Sequence, residues 1–328
     1  MYRIEQVLIP VDFSSFSQAA VAFGRGLGDD DGDRRRTRLQ LAHAVESLSP
    51  AVRSVLFPYA PLGEDDREFE AEIIEATRTH LAEYFEFDDE LRRRFIARPI
   101  VDIGSARKRI SDWIGGLDVD LIAAGAFGSH GVFGAGPGST SRRIVDAASC
   151  PVALLRDYEP RPTVDRILAA VDLGRDSNRV LEVAVGLAVD QGAALEVIHV
   201  IPTPFAHDTR WMVERDADID PDAVEARLRP RAVDGLERLV EDLTVPYPER
   251  DRVDELLDDP RVAVGDPATE IGRRAEDGNF DLVVIGRGGS GESTESGRRR
   301  VASAVMAEVP KHLVVVGPEP EATPLSTP

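Results

Sequence analysis

The segment of the chain best equipped for chemistry is a glycine-rich stretch in which Gly125 and Gly128 are followed by Gly138 and Ser139. It leaves an apolar, strand-like run and enters a stretch with helical periodicity. Glycines let backbone N–H groups approach a polyanion, and the first amides of a helix, with the Ser139 hydroxyl, favour negative charge. A flexible surface loop would have a similar composition, but the context of strand, loop and helix favours a phosphate-binding segment.

Other catalytic and metal-binding signatures are absent from the sequence. No G-x-x-x-x-G-K-[ST] loop occurs, and neither Lys108 nor Lys311 lies in a glycine-rich loop, so rapid hydrolysis of the P-loop type is not expected. No G-x-S-x-G or H-E-x-x-H motif occurs, and the histidines lack ligand spacing. His43 and His199 occupy equivalent strand positions and are predicted to be packed structural residues. The acidic runs 29–31 and 88–90 lack calcium-loop spacing and are predicted to be solvated loops.

Charge and composition restrict the partners and the compartment. The 328 residues include 39 Lys and Arg against 59 Asp and Glu, and the net charge of −20 disfavours nucleic acids and anionic membrane surfaces. All but two of the basic residues are arginines, which is typical of halophilic, for example haloarchaeal, proteins; codon bias in a GC-rich genome is the alternative. The lone Cys150, with no export signal and no membrane-spanning run, predicts a cytoplasmic protein.

The sequence repeats itself at an offset of about 160 residues. Residues 7–12 resemble 167–172, Gly104 matches Gly265, and residues 120–122 match 281–283. We predict two copies of one domain, at 1–157 and 164–317, joined by a linker at 158–163 and followed by a disordered tail at 318–328.

Each copy alternates short apolar runs with helical patterns. The predicted strands lie at 6–12, 38–45, 95–101, 119–125 and 151–156, and then at 165–172, 194–201, 261–264, 281–286 and 311–317. Helices connect them, one starting at an N-cap Ser14 or Ser15, another kinked or split by Pro230. Strands that are apolar on both faces predict an α/β fold: two tandem five-stranded parallel-sheet sandwiches of Rossmann-like type. Such sheets bind ligands beyond the carboxyl ends of their strands.

The spacing Gly125, two residues, Gly128, nine residues, Gly138 and Ser139 resembles the signature of the universal stress protein family in its nucleotide-binding type. The segments at 11–12, 43–44 and 120–125 are similar to that family as well, and the second copy has counterparts. The resemblance implies a tandem two-domain member whose fold is like that of the adenine nucleotide alpha-hydrolases. It further implies ATP or AMP as ligand, with Mg²⁺ only as the companion of a bound triphosphate.

By this resemblance Asp12 and the Ala44 backbone lie against the adenine and ribose, while the glycines permit close approach of the ribose and phosphates. The implied nucleotide-binding residues are Val11, Asp12, Ala44, Ala124, Gly125, Phe127, Gly128, Gly138, Ser139 and Thr140. An alternative role for Asp12 is to support the N-cap of the following helix. The resemblance also implies that the strands 151–156 and 311–317 pair as an intrachain pseudo-dimer, and a homodimer is compatible with the sequence.

The second copy departs from the signature where the first would hold phosphate. Gly286 and Gly289 remain, but Arg299 and Arg300 replace the glycine and serine. We predict a degenerate second site; in the alternatives, the arginines 298–300 bind a different anion or pair with glutamates at 292, 295 and 308. The literal G-x-G-x-x-G at 286–291 follows a fourth strand rather than opening a first βαβ unit, so it does not predict a dinucleotide site.

These observations predict a regulatory protein of the stress response that binds ATP or AMP in its N-terminal copy, with the second copy as a packing partner. Two alternatives stay open. One is a slow ATP hydrolase or autophosphorylating enzyme using Ser139 or Thr140, which the lack of a recognisable general base beside them disfavours. The other is a nucleotide-independent module that binds an unknown protein partner.

Overall fold

The structure is a computed structural model that describes residues 2–28, 37–46, 64–128, 137–156, 163–202, 221–243, 249–288 and 294–318. Most of the predicted linker and tail, and residues 129–136 of the glycine-rich segment, lie outside this part of the chain. The strands are β1 Gln6–Pro10, β2 Arg38–Val45, β3 Ile100–Ile103, β4 Leu121–Gly125, β5 Val152–Leu155, β6 Arg166–Val171, β7 Ala194–Pro202, β8 Arg261–Gly265, β9 Leu282–Gly286 and β10 His312–Val316. The helices are α1 Ser15–Gly26, α2 Glu64–Tyr84, α3 Asp89–Arg94, α4 Ala106–Gly116, α5 Ser139–Ala147, α6 Ser177–Gln191, α7 Pro221–Glu241, α8 Glu249–Leu256, α9 Pro267–Asp277 and α10 Thr294–Glu308.

The strands form one ten-stranded sheet in the order β3-β2-β1-β4-β5-β10-β9-β6-β7-β8. All pairs within each half are parallel, as the apolar strands separated by helices predicted. The α/β fold class is therefore confirmed. Because β1 and β6 are central in their halves, with neighbours reached in opposite directions, each half has a topological switch point at its central strand.

The two halves meet at β5 and β10, which pair antiparallel with Leu154 opposite Leu313 and Val152 opposite Val315. This is the strand pairing that the family resemblance predicted, and it merges two five-stranded sheets into one. Further contacts cross the junction: the Asp190 carboxylate at the end of α6 accepts a hydrogen bond from the Gly28 N–H at 3.0 Å. Burial raises the pKa of Asp190, and that hydrogen bond opposes the shift.

Apolar side chains cover both faces of the sheet. One buried cluster includes Phe23 of α1, the C-cap residue Leu27 of that helix, and Val183 and Leu187 of α6. The other includes Trp113, Ile144, Ile271 and Val305, from α4, α5, α9 and α10. Each cluster contains residues of both halves, so the core on either face continues across the β5–β10 junction. No helix within the described ranges is long and apolar enough to cross a membrane.

Several element predictions need correction. The strand predicted at 95–101 is β3 at Ile100–Ile103, because Phe95 is the C-cap of α3 and forms only an isolated bridge to Leu39. The acidic run at 88–90 is not a loop: Asp88 is the N-cap of α3, and its Oδ1 accepts from the Leu91 N–H at 2.7 Å. Helix α7 runs through Pro230 and is not split there.

Candidate functional site

The carboxyl ends of β1 and β4 lie side by side and form the place where a sheet of this kind binds ligands. Asp12 follows β1, and Gly128 follows β4. A β-carbon placed on Gly128 would lie 3.2 Å from Oδ2 of Asp12, so the fold brings together these two residues, more than a hundred positions apart in sequence. The parallel pairing of β1 with β4 is what places them at the same edge.

Asp12 is exposed, and its carboxylate also organises the start of α1. Oδ1 accepts hydrogen bonds from the Ser14 N–H (3.2 Å), the Ser14 hydroxyl (2.5 Å) and the Ser17 hydroxyl (2.7 Å). Ser14 is the N-cap residue, and its own hydroxyl accepts from the Ser17 N–H at 3.2 Å. The helix-capping role considered for Asp12 is thus present, on the Oδ1 side, while Oδ2 lies beside Gly128.

A group of aromatic rings borders Asp12. Phe13 has a backbone φ of 59°, a left-handed conformation that bulky residues adopt rarely and that concentrates at functional sites. Its carbonyl accepts a hydrogen bond from the Tyr84 hydroxyl at 2.6 Å, and its ring lies 4.8 Å from His80 and 4.9 Å from His43. The sequence did not predict this group, because neither periodicity nor a motif identifies a residue with positive φ.

His43 is a structural residue, as predicted. Its Nδ1 lies 2.7 Å from the Val11 carbonyl oxygen, and this contact ties β2 to the chain leaving β1. Burial lowers the pKa of His43, while the Val11 carbonyl and the charge of Asp12 oppose the shift. Val11 itself is buried, and its N–H donates to the Ala42 carbonyl at 2.9 Å, so only its backbone can face a ligand. Ala44, half-buried at the end of β2, lies on the same edge.

The start of α5 supplies the other side of the site. Gly138 is the N-cap residue, its N–H donates to the Ala126 carbonyl at 2.9 Å, and α5 begins at Ser139 as the sequence predicted. Gly138 offers no side chain to cap the first turn, whose N–H groups have no partner within the helix. Ser139 is exposed and Thr140 is half-buried. A β-carbon on Gly138 would lie 4.0 Å from the Gly128 nitrogen, so both glycines flank one space.

Other predicted site residues have packing roles. A β-carbon on Gly125 would lie 2.7 Å from Cβ of Phe16, so glycine is required there by the close approach of α1. Phe127 is buried and packs against Phe16 with ring centroids 5.1 Å apart. Ala124 is buried within β4. These three residues could contact a ligand only through their backbone. The side chains of Phe127 and Ala124 pack in the core, and the absence of a side chain at Gly125 allows α1 to pack there.

The second half repeats the strand-end construction. Oδ1 of Asp172 accepts from the Gly174 N–H at 2.8 Å and from the Ser177 hydroxyl at 3.0 Å. Nδ1 of His199 lies 2.9 Å from the Val171 carbonyl oxygen, as His43 does with Val11. The helix that follows differs: α10 begins at Thr294, six residues before Arg300, which is the counterpart of Ser139. The side chains at 294–300 and the whole of Gly289 lie outside the described part of the chain.

Arg287, the second residue of the G-x-G-x-x-G pattern at 286–291, contacts the other half of the chain. Arg287 donates hydrogen bonds to the carbonyls of Val145 and, at 3.0 Å, Asp146, at the end of α5 in the other half. Its guanidinium therefore caps a helix across the β5–β10 junction, and residues 289–291 of the pattern lie outside the described part of the chain. No group of three or more His, Cys, Asp or Glu side chains among the described residues could hold a metal ion.

Comparison with known proteins identifies related chains. The model of the universal stress protein family matches residues 3–156 and 163–317. No curated protein gives a significant match. A universal stress protein from Archaeoglobus fulgidus DSM 4304 is 16% identical, covers 96% of this chain and 99% of its own, and superposes with a TM-score of 0.57. A protein of unknown function from Pseudomonas aeruginosa PAO1 is 16% identical over 96% of this chain and 93% of its own, with a TM-score of 0.56.

These two likenesses establish the tandem fold over almost the entire chain. A single-domain structure, a universal stress protein in complex with cAMP, is 17% identical and covers 47% of this chain and 98% of its own, with a TM-score of 0.30.

Proposed function

The chain belongs to the universal stress protein family, and on this premise we propose that its N-terminal half binds ATP or AMP and that the protein acts as a nucleotide-dependent regulator of the stress response. The observation that carries the proposal is the convergence of Asp12, Gly128 and Gly138 on one space at the switch point. A carboxylate, two residues without side chains and an uncapped helix start are the parts that a nucleotide requires.

Charge determines the orientation of the nucleotide in this proposal. The phosphates lie at the first turn of α5, where the amides of Ser139 and Thr140 and the helix dipole favour an anion. The Asp12 carboxylate would repel phosphates, so the ribose hydroxyls and the adenine lie on its side, next to the backbone of Val11 and Ala44. With a formal net charge of −20, the protein needs such local donors to hold an anion at all.

Two further groups support the site. Nε of Arg142 donates to the Pro137 carbonyl at 3.2 Å, which places a cation beside the segment that leads into α5. Phe13 and the rings of His43, His80 and Tyr84 form an aromatic wall beside Asp12. We expect Mg²⁺ to enter with a triphosphate rather than at a protein site, in line with the lack of a ligand cluster among the described residues.

The test is calorimetric titration of ATP with Mg²⁺, and separately of AMP, into the full chain at high salt. The wild type should bind about one nucleotide per chain. Gly138→Ala should weaken binding at least tenfold, about 1.4 kcal/mol, because the added methyl occupies the space that a phosphate needs. That methyl meets only the Ala126 oxygen at 3.8 Å and the Gly128 nitrogen at 4.0 Å, so the fold tolerates it. Gly138→Val combined with Ser139→Ala should abolish binding.

The matched control is Gly115→Ala in the same half, where an added methyl has no neighbour within 4 Å. It should bind nucleotide like the wild type. A wild type that produces neither heat nor a thermal shift with nucleotide contradicts the proposal and favours the nucleotide-independent interaction module, since a ligand specific to the folded state must stabilise it. Two nucleotides per chain would contradict the degenerate second site.

A further inference from the structure

The second half contains a cavity of about 420 Å³ at the carboxyl ends of β6, β7 and β9. This is the position that the candidate nucleotide site occupies in the first half. Its wall is mainly apolar and includes Val171, Val180, Ile198, Ile271, Ile285 and Val305. The volume lies within the range of pockets that hold small molecules.

The cavity exists because two aromatic side chains of the first half have no counterpart in the second. In the first half, Phe16 and Phe127 are 3% and 4% exposed and pack together above the sheet. The repeat places Asp176 and Gly288 at their positions, and both line the cavity. A carboxylate and a glycine leave most of the volume of two phenyl rings unfilled.

The described part of the cavity lacks the helix start that is proposed to hold phosphate in the first half. The helix start that lies at Ser139 in the first half has moved: α10 begins at Thr294, about 9 Å of helix before the equivalent position. Val301 and Ala302, the counterparts of Thr140 and Ser141, line the cavity instead of two hydroxyl residues. The amides at this point lie inside a helix, where they bond to the preceding turn.

The polar side of the cavity is acidic. Among the lining residues that the structure describes, Asp172 and Asp176 carry a formal charge at pH 7, and the others are neutral, for example Ser177 and His199. Nδ1 of His199 bonds to the Val171 carbonyl, which fixes that ring in the wall. Carboxylates at a mainly apolar cavity repel anions and accept hydrogen bonds from donors.

We infer that the second half binds an uncharged, mainly apolar small molecule that presents a hydrogen-bond donor to the carboxylate of Asp176. The two halves thus take ligands of opposite character at equivalent positions. The first position has backbone donors for an anion, and the second has apolar walls and acceptors for a neutral donor. This inference rests on the cavity and its lining, and it holds whether or not the first half binds a nucleotide.

The experiment uses N-phenyl-1-naphthylamine, an uncharged apolar fluorophore with one N–H donor, and its sulfonated analogue 1-anilinonaphthalene-8-sulfonate. The neutral probe should give a saturable fluorescence increase with about one site per chain, and excess ATP with Mg²⁺ should not displace it. Measured with the same excess of ATP and Mg²⁺, which occupies the anion site proposed for the first half, the sulfonated probe should bind at least tenfold more weakly, because the Asp176 carboxylate repels it. Equal or tighter binding of the sulfonated probe would overturn the inference and favour an anion site served by Arg298–Arg300.

Variants at Asp176 distinguish the effect of cavity volume on probe binding from the effect of charge. Asp176→Phe restores the ring that the first half has at this position and should weaken the neutral probe at least tenfold. The Asp176 side chain makes no capping bond to α6, so its loss removes no helix cap. Asp176→Asn removes the charge and keeps the volume; it should retain the neutral probe and improve binding of the sulfonated one.

Ala302→Phe, which adds a ring from α10, is the second filling variant should Asp176→Phe fold poorly, with thermal unfolding as the check. Gly115→Ala, at an open position of the other half, should leave both probes unaffected. If the wild type gives no saturable signal, or if folded filling variants bind the neutral probe as the wild type does, the inference is wrong.

Discussion

The two halves of the chain hold the amino ends of their central strands, β1 and β6, in the same way. They differ in the space beyond the carboxyl ends of those strands. Oδ2 of Asp120 accepts the N–H groups of Glu5 and Gln6, and Oδ2 of Asp281 accepts those of Asp165 and Arg166. The left-handed φ of Phe13, 59°, is repeated at Leu173, 57°.

The differences are concentrated where a ligand would lie. Phe16 and Phe127 correspond to Asp176 and Gly288, and the hydroxyl residues that begin α5 correspond to Arg300, Val301 and Ala302 within α10. The scaffold of this fold is thus kept while the space beyond the strands changes from one bordered by the start of α5 to a cavity with mainly apolar walls. If this division is correct, equivalent substitutions at shared positions should have similar effects in the two halves, and those at divergent positions should have different effects.

The largest effect is expected from the glycines at the ends of β4 and β9. In Gly125→Ala the new methyl would lie 2.7 Å from Cβ and 3.1 Å from the backbone carbon of Phe16, and neither can move without shifting α1. We expect a loss of about 2–3 kcal/mol in the free energy of unfolding. In Gly286→Ala the nearest atom is a Val180 methyl at 3.3 Å, which can give way, so the loss should stay below about 1 kcal/mol.

Urea unfolding of both variants measures this difference. Equal losses would mean that α1 and α6 approach the ends of β4 and β9 equally closely, contrary to the distances at Gly125 and Gly286. Gly115→Ala, at an open position of α4, is the control and should cost nothing.

Much of the scaffold was predictable from sequence, because it depends on local patterns. The apolar runs located nine of the ten strands closely, Ser14 was one of the two predicted N-cap candidates, and the β5–β10 pairing followed from the family resemblance. The short helices α3 and α8 were missed, since DELRRR and ERDRVDEL lack an apolar face of ordinary length. β3 was misplaced because the apolar residues Phe95 and Ile96 moved the start of the predicted strand to 95, although Phe95 forms only an isolated bridge to Leu39.

The candidate site was less predictable, because its properties depend on residues distant in sequence. The motif marked Gly125 as a ligand position, whereas its lack of a side chain is explained by Phe16 of α1. It marked Phe127, whose ring is in the core. The second-half cavity depends on Asp176 and Gly288 together, and neither residue alone deviates from an ordinary helix start or loop.

A medium effect is expected from the carboxylates that anchor β1 and β6. Asp120→Ala leaves the N–H groups of Glu5 and Gln6 without their acceptor, and Asp281→Ala does the same in the second half. Each should lower the free energy of unfolding by about 1–2 kcal/mol, since the bonds lie near the surface and water compensates in part.

The neighbouring exposed Asp118→Ala is the control and should have little effect. Urea midpoints for the three variants test whether the anchor is shared. A large loss of stability in one half with none in the other would show that the amino ends of β1 and β6 are held differently, which contradicts a scaffold shared by the two halves.

The smallest effect concerns His43 and its dependence on pH. Burial lowers the pKa of His43 in the folded protein below its ordinary value of 6.5. Protonation is therefore less favourable in the folded than in the unfolded state, and stability is lost as the pH falls from 6.5 towards the folded pKa. His43→Gln removes this titration together with the contact to the Val11 carbonyl.

At pH 8 the wild type should be more stable than His43→Gln by about 1 kcal/mol or less, the contribution of one hydrogen bond. That advantage should shrink as the pH falls below 6.5, because only the wild type carries the cost of burying a charged ring. Thermal unfolding of both proteins between pH 8 and pH 5 measures the change, and His199→Gln gives the cost at pH 8 of losing the equivalent contact in the second half. An advantage that grew on acidification would mean that the charge of Asp12 outweighs burial at His43. The edge of the sheet beside Asp12 would then favour cations, and an anionic ligand would have to keep its phosphates entirely on the α5 side.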